Sequence, residues 1–146
     1  MDSNQNKQLV MRGYELFQQG DIKGVLARCS DDVEIISTEN EHVPFTGSYK
    51  GLYEAADYFS TLGGSMDALH FLPKEFVAEG DKVVVTGEAR WHVKSTGADF
   101  HTPWVHIFTI SGDKIARLEQ YSDSATAVAA FMMPALSEAE LAALRH

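Results

Sequence analysis

The sequence predicts an α+β fold: a curled antiparallel sheet forming a half-open cone, packed by three N-terminal helices, with a helical C-terminal tail. Three observations predict it. Apolar stripes at helical spacing fill the first 62 residues, before "GGS" at 63–65. Beyond that point come four long segments, 67–79, 82–94, 99–110 and 114–122, separated by "EGDK", "STGAD" and "SGDK". Gly- and Asp-containing turns of this kind close β-hairpins. The segments are about twice the usual strand length of roughly 5–6 residues, and strands that long twist and coil. Such a sheet wraps around a space, and helices across its mouth make that space a pocket.

The elements follow in order. Residues 5–19 read as a helix, with Leu9, Val10, Gly13, Leu16 and Phe17 on one stripe and Tyr14 at its edge. Gly20 stops it, and Asp21 can cap a short second helix from Ile22 to Cys29. "VEIIST", Val33 to Thr38, is β-branched and reads as a strand. "NEHVPFTGSYKG" reads as a loop punctuated by Pro44, Gly47 and Gly51. Residues 52–62 read as a third helix, with Leu52, Ala55, Ala56, Phe59 and Leu62 apolar. The C-terminal part is helical in composition: "SATAVAAFMM" is Ala-rich, Pro134 breaks it, and "SEAELAALR" opens on a capping box, Ser137 to Glu140. The organisation expected is one domain over 1–133 and a helical tail over 134–146, placed to cover a pocket mouth or dock on a second subunit.

Composition excludes several classes. At 146 residues the chain suits one domain with a real core. A formal net charge of −9 argues against nucleic acid and against an anionic membrane surface as partners. No apolar run approaches the ~18 residues needed to span a bilayer, and "MDSNQNKQLV" lacks the apolar core of a secretory signal. The single cysteine, Cys29, cannot form an internal disulfide, so a cytoplasmic location is expected, with Cys29 packed in the second helix.

Strand parity identifies the pocket side chains. On 82–94 the odd positions, including Val83, Val85, Gly87, Ala89, Trp91 and Val93, are apolar and face inward. A four-residue loop "TGAD" would pair Ser95 with Phe100, and so Trp91 with Trp104 and Ala89 with His106. On the last strand Ala116, Leu118, Gln120 and Ser122 share a face; pairing Ile110 with Ala116 puts Phe108 by Leu118 and His106 by Gln120. Directly opposed residues have Cβ atoms about 4.5–5.5 Å apart, so a His106–Gln120 hydrogen bond is expected. His106 fits two readings. It is a core imidazole satisfied by Gln120, or it is the working end of a site, since Trp91, Trp104 and Phe108 around one or two polar groups resemble a small-ligand pocket. Its unperturbed pKa lies near neutrality, which suits proton transfer. His92 and His101 fall on the opposite face, and no His–carboxylate set has ligand spacing, so no metal is expected. Glu88 and Arg90 read as solvated or interfacial strand neighbours.

The chain resembles the SnoaL-like proteins of the nuclear transport factor 2-like superfamily, which are related to the ketosteroid isomerases. The resemblance covers about residues 6–131. It is carried by "RGYELFQQGDIKGVLARCSDDVEI", "PFTGSYKGLYEAADYFSTL", "VHIFTISGDKIARLEQYSD" and "SATAVAAF" in that order. It implies the cone fold, a homodimer through the outer face of the sheet, and chemistry without a cofactor. It carries the steroid-isomerase groups over poorly. The enolate-binding tyrosine position falls at Gly13, the base position at Ser37, and the protonated-acid position at or beside His106. The last-strand aspartate of the cyclases and epoxide hydrolases falls at Gln120, which cannot exchange a proton. The hydrolase Arg–Asp pair falls on Glu88 and Arg90 with the charges reversed, or on Gly87 and Ala89.

The expected function is therefore an isomerase-, cyclase- or hydrolase-type enzyme acting on a small apolar molecule that bears a carbonyl or hydroxyl. His106 would move the proton and Gln120 would orient it. Tyr14, Phe17, Ser37, Phe59, Trp91, Trp104, Phe108 and Leu118 would bind the ligand. The alternatives are a non-catalytic binder of a small hydrophobic ligand and an interaction module using the outer sheet face and the tail.

Overall fold

A computed structural model describes residues 2–132 and Ala143. Pro134, the Ser137–Glu140 capping box and the tail expected over 134–146 fall outside the described residues, Ala143 apart.

Helix α1 (Ser3–Gln18) opens on a capping box: the Asp2 carboxylate accepts from the Gln5 N–H at 2.8 Å, and the Gln5 side chain accepts from the Asp2 N–H at 2.9 Å. Gly20, at φ +77°, supplies the left-handed turn that ends it. Asp21 then caps the short α2 (Ile22–Ala27) through the Gly24 N–H. Two expectations fail here. Cys29 is not helical but opens strand β1 (Cys29–Ser37), because the Ile115 N–H pairs with the Arg28 carbonyl and draws the chain into a sheet ladder. Part of the expected loop is strand β2 (Ser48–Lys50), antiparallel to β1 and too short to show a period. Helix α3 (Gly51–Ser65) follows.

Strands β3 (Met66–Glu79), β4 (Lys82–Val93), β5 (Asp99–Ser111) and β6 (Lys114–Ser122) form the expected antiparallel meander. β1 adds to β6 in parallel, giving an open six-stranded sheet in the order β2-β1-β6-β5-β4-β3. The β3–β4 and β5–β6 hairpins turn on two residues each, Gly80–Asp81 and Gly112–Asp113, with positive φ at the glycine alone, the arrangement of a II′ turn. Helix α4 (Ser124–Met132) closes the continuous run of described residues. Helix α1 packs on β3 and β4, α3 on β1, and α4 on β5, so the helices line the concave side of the sheet.

Parity holds on the central strands: Val83, Val85, Ala89 and Val93 of β4 are fully buried, and Phe100, Trp104, Phe108 and Ile110 are buried on the same face of β5. Burying each such Val, Ile or Phe side chain contributes on the order of 1.5–3 kcal/mol. The β4–β5 register, however, is displaced by four residues from the one the "TGAD" loop implied. Trp91 faces Phe100, Ala89 faces Thr102, Gly87 faces Trp104 and Val85 faces His106. The loop closes earlier, with the Val93 N–H on the Ala98 carbonyl and Gly97 at φ +77°, while the Lys94 N–H leaves the ladder for the Ser65 carbonyl. An even displacement keeps every residue on its own face. On β5–β6 the pairs Phe108–Leu118 and His106–Gln120 stand as expected, but Ile110 pairs with Ile115 rather than Ala116, across a bulge after Thr109.

Candidate functional site

The sheet and helices enclose a cavity of about 220 Å³. All ten residues named from the sequence border it: Tyr14 and Phe17 from α1, Ser37 from β1, Phe59 from α3, Trp91 from β4, Trp104, His106 and Phe108 from β5, and Leu118 and Gln120 from β6. Tyr14 is not at the edge of its stripe but at its buried centre, 8% exposed. It sits amid the rings of Phe71, Phe76, Trp104 and Phe108, each about 6 Å away between centroids.

His106 does not bond to Gln120. Its Nδ1 lies 2.7 Å from the Tyr14 hydroxyl, and its ring stacks on the Trp104 indole at 4.1 Å. Gln120 is held instead by Tyr58 of α3, whose hydroxyl donates to Gln120 Oε1 at 3.0 Å. The β5–β6 register makes the two residues neighbours, but a buried phenol on a covering helix claims each of them. Ser37, in register with Gln120, accepts from the Gly47 N–H at 3.2 Å.

Every polar group at this floor is neutral near pH 7. Burial pushes the His106 imidazole down from 6.5 to about 3. Burial likewise pushes the Tyr58 phenol up to about 12, against the lowering by its bond to Gln120, and raises the Tyr14 phenol well above its ordinary value. No Asp, Glu, Lys or Arg lines the cavity among the described residues. The same residues hold no cluster of three or more His, Cys, Asp or Glu arranged for a metal. His92, His101, Glu88 and Arg90 lie on the opposite, outer face, where Glu88 is 3.0 Å from Lys74 and 3.5 Å from His101. Cys29 is buried and donates to the Val25 carbonyl at 3.5 Å; burial raises its thiol to about 11, which suits packing rather than nucleophilic work.

The sequence reading missed Tyr58, Phe71 and the lining from the β1–β2 loop and α4. Tyr58 stands three residues after Ala55 and four before Leu62, so the helical stripe that named those two could have included it. Phe71, on β3, stacks on Trp104 at 5.1 Å. Val43 and Phe45 from the β1–β2 loop and Ala127 and Val128 from α4 also line the cavity, and Phe45 meets Phe131 of α4 edge to face. Loop residues carry no period, so nothing local marked them as lining.

Residues 10–118 match the family model of the SnoaL-like domain. The chain belongs to the SnoaL-like family. Its structure is similar to that of a nuclear transport factor 2-like protein from Burkholderia xenovorans, with a TM-score of 0.82 and 30% identity over 90% of this chain and 98% of that one. A second nuclear transport factor 2-like protein, from Burkholderia pseudomallei, matches with a TM-score of 0.79 and 23% identity, covering 88% of this chain and 98% of that one. TerC, co-crystallized with polyporic acid, matches with a TM-score of 0.76 and 24% identity over 87% of this chain and 98% of that one. At those last two identities the likeness is one of fold. No curated protein matches the SnoaL-like chain.

Proposed function

We propose that the cavity binds a small, neutral, apolar molecule bearing a carbonyl or hydroxyl oxygen. The observation that carries this reading is an aromatic-walled cavity whose floor holds two neutral pairs, Tyr14–His106 and Tyr58–Gln120, with no charged lining residue among those described. Concave, mostly apolar sites with a few convergent polar groups are how small ligands are held. An apolar cavity of ~150 Å³ accepts benzene, so about 220 Å³ suits a substituted ring or a small fused pair. TerC, with polyporic acid, supports a small organic ligand in this fold.

Gly13 supplies the test. It borders the cavity, and a Cβ placed there meets nothing within 4 Å. Gly13→Leu should therefore fill the cavity while leaving α1 intact. Native mass spectrometry of the purified chain should show a bound small molecule that Gly13→Leu excludes. A folded Gly13→Leu variant that retains the same molecule would refute the cavity as its site.

A second reading is enzymatic: isomerase-, cyclase- or hydrolase-type turnover without a cofactor, with His106 moving the proton and Gln120 orienting the substrate. The Tyr14–His106 contact favours it, since a phenol behind an imidazole can relay a proton. An imidazole held at about 3 is a weak base at neutral pH, which ranks this reading second. A ligand recovered unchanged after long incubation, or full turnover by His106→Ala, would sink it. We also propose a homodimer through the convex sheet face, where Val77, Val84 and Ile107 stand in register across three strands with Arg117, Glu119 and Tyr121 beyond them.

A further inference from the structure

Resting on the cavity reading above, we propose that His106 and Gln120 form a pair of N–H donors that holds one acceptor oxygen of the ligand. The fitting ligand class is a neutral ring ketone. In this arrangement Tyr14 and Tyr58 are positioning residues that set the two donors.

The argument starts from the two phenols. A buried hydroxyl left without an acceptor costs about 1–3 kcal/mol. The Tyr14 ring is buried among aromatic rings, and its hydroxyl has one hydrogen-bond partner among the described residues, His106 Nδ1. Tyr14 therefore donates to Nδ1. A neutral imidazole carries one proton, so that proton sits on Nε2. The opposite tautomer would point Nδ1–H at the phenol oxygen and leave the phenol O–H with nothing to bond. Tyr58 repeats the logic on α3. Its one partner among the described residues is Gln120, and it donates to Oε1. The amide is thereby oriented with its NH₂ directed away from Tyr58. Each phenol thus occupies the acceptor of its partner and leaves a donor.

Both donors open on the cavity. The sealed, unpartnered polar atoms among the described residues are Asn6 Oδ1, Arg28 Nε, Ser30 Oγ and Trp104 Nε1. His106 Nε2 and Gln120 Nε2 are not among them, neither has a protein partner among those residues, and both side chains border the cavity. Being directly opposed on β5 and β6, the two residues can reach one oxygen together. The pair also discriminates. A carboxylate would shed its hydration where no cation among the described residues lines the wall. A hydroxyl could accept from the pair, but its own O–H would need an acceptor that neither residue offers. A carbonyl accepts twice and donates nothing. His106 is then a donor to its ligand rather than a base, in keeping with its position as a buried neutral imidazole.

The test uses the full chain with carbonyl-¹³C 1-indanone and, as its oxygen-free counterpart, indane. In the ligand-free protein, ¹⁵N NMR should show His106 as the Nε2–H tautomer, and Tyr14→Phe should turn it into a mixture. Bound 1-indanone should bind about tenfold more tightly than indane. Its infrared carbonyl stretch should lie below its value in hexane. His106→Leu and Gln120→Leu should each move the stretch back toward the hexane value and remove most of the preference over indane; Tyr58→Phe should do so in part. An Nδ1–H tautomer in the unmodified chain overturns the pair without any ligand, whether or not the leucine variants fold. Equal binding of both compounds with an unshifted stretch overturns the pair alone. Binding of neither compound overturns the cavity reading and the pair with it.

Discussion

His106 shows how one residue couples the site to stability. Its folded pKa of about 3 lies below the unfolded value of about 6.5. Above 6.5 both states are neutral and the stability is fully present. As the pH falls from about 6.5 toward 3, the unfolded chain takes up a proton that the folded chain refuses, and stability is lost. Urea unfolding should therefore weaken with acidification by a term of up to about 1.4 kcal/mol per pH unit that His106→Leu removes. Equal pH slopes for the two proteins between pH 4 and 6 would contradict the buried neutral imidazole. Tyr14→Phe leaves His106 Nδ1 without its hydrogen-bond partner and should lower stability by about 1–3 kcal/mol in the same assay. From the chain alone, His106 was readable as an inward residue opposite Gln120, because both lie on neighbouring strands joined by a short turn. Its bond to Tyr14 was not, since that partner comes from a helix 92 residues away.

Among the elements, the β4–β5 hairpin carries the clearest structural demand. Gly87 faces Trp104, and a Cβ there would overlap the indole and lie 2.6 Å from the Leu72 carbonyl oxygen. Gly87→Ala must displace backbone or the Trp104 indole, one of two that line the cavity, and should cost about 1–3 kcal/mol, with altered tryptophan fluorescence. An Ala variant with unchanged stability and spectrum would show that the sheet yields there. Helix α4 is tied down at one point by the Thr96 hydroxyl, which donates to the Ala130 carbonyl at 2.7 Å. Thr96→Val removes that bond and should speed amide exchange across α4 while leaving β5 protected. Alternation and the Gly–Asp turns made these strands legible, and their facing survived a four-residue register displacement because the displacement was even. Strand β2 and the opening of β1 at Cys29 were hidden, since three residues show no period and a strand start depends on the ladder it joins.

For the whole molecule, the convex face is the remaining surface to account for. Val77 is 63% exposed there, on the edge strand beside the Val84–Ile107 row. The proposed homodimer should appear in sedimentation at micromolar concentration, and Val77→Lys should shift it toward monomer; a clean monomer for the unmodified chain would refute it. The sequence by itself determined the α+β class, the order of the helices and of every strand but β2, which side of each central strand is apolar, and ten of the side chains that border one space. Those properties follow from local period and turn chemistry, which a single chain carries in its own residue spacing. Only the tertiary structure decided the register of β4 on β5 and the pairing of the polar groups, because both depend on segments far apart in the chain competing for the same partner. The hydrogen bond expected between His106 and Gln120 was divided between Tyr14 and Tyr58, since two helices bring buried phenols whose hydroxyls pair with those two residues and no others among the described ones.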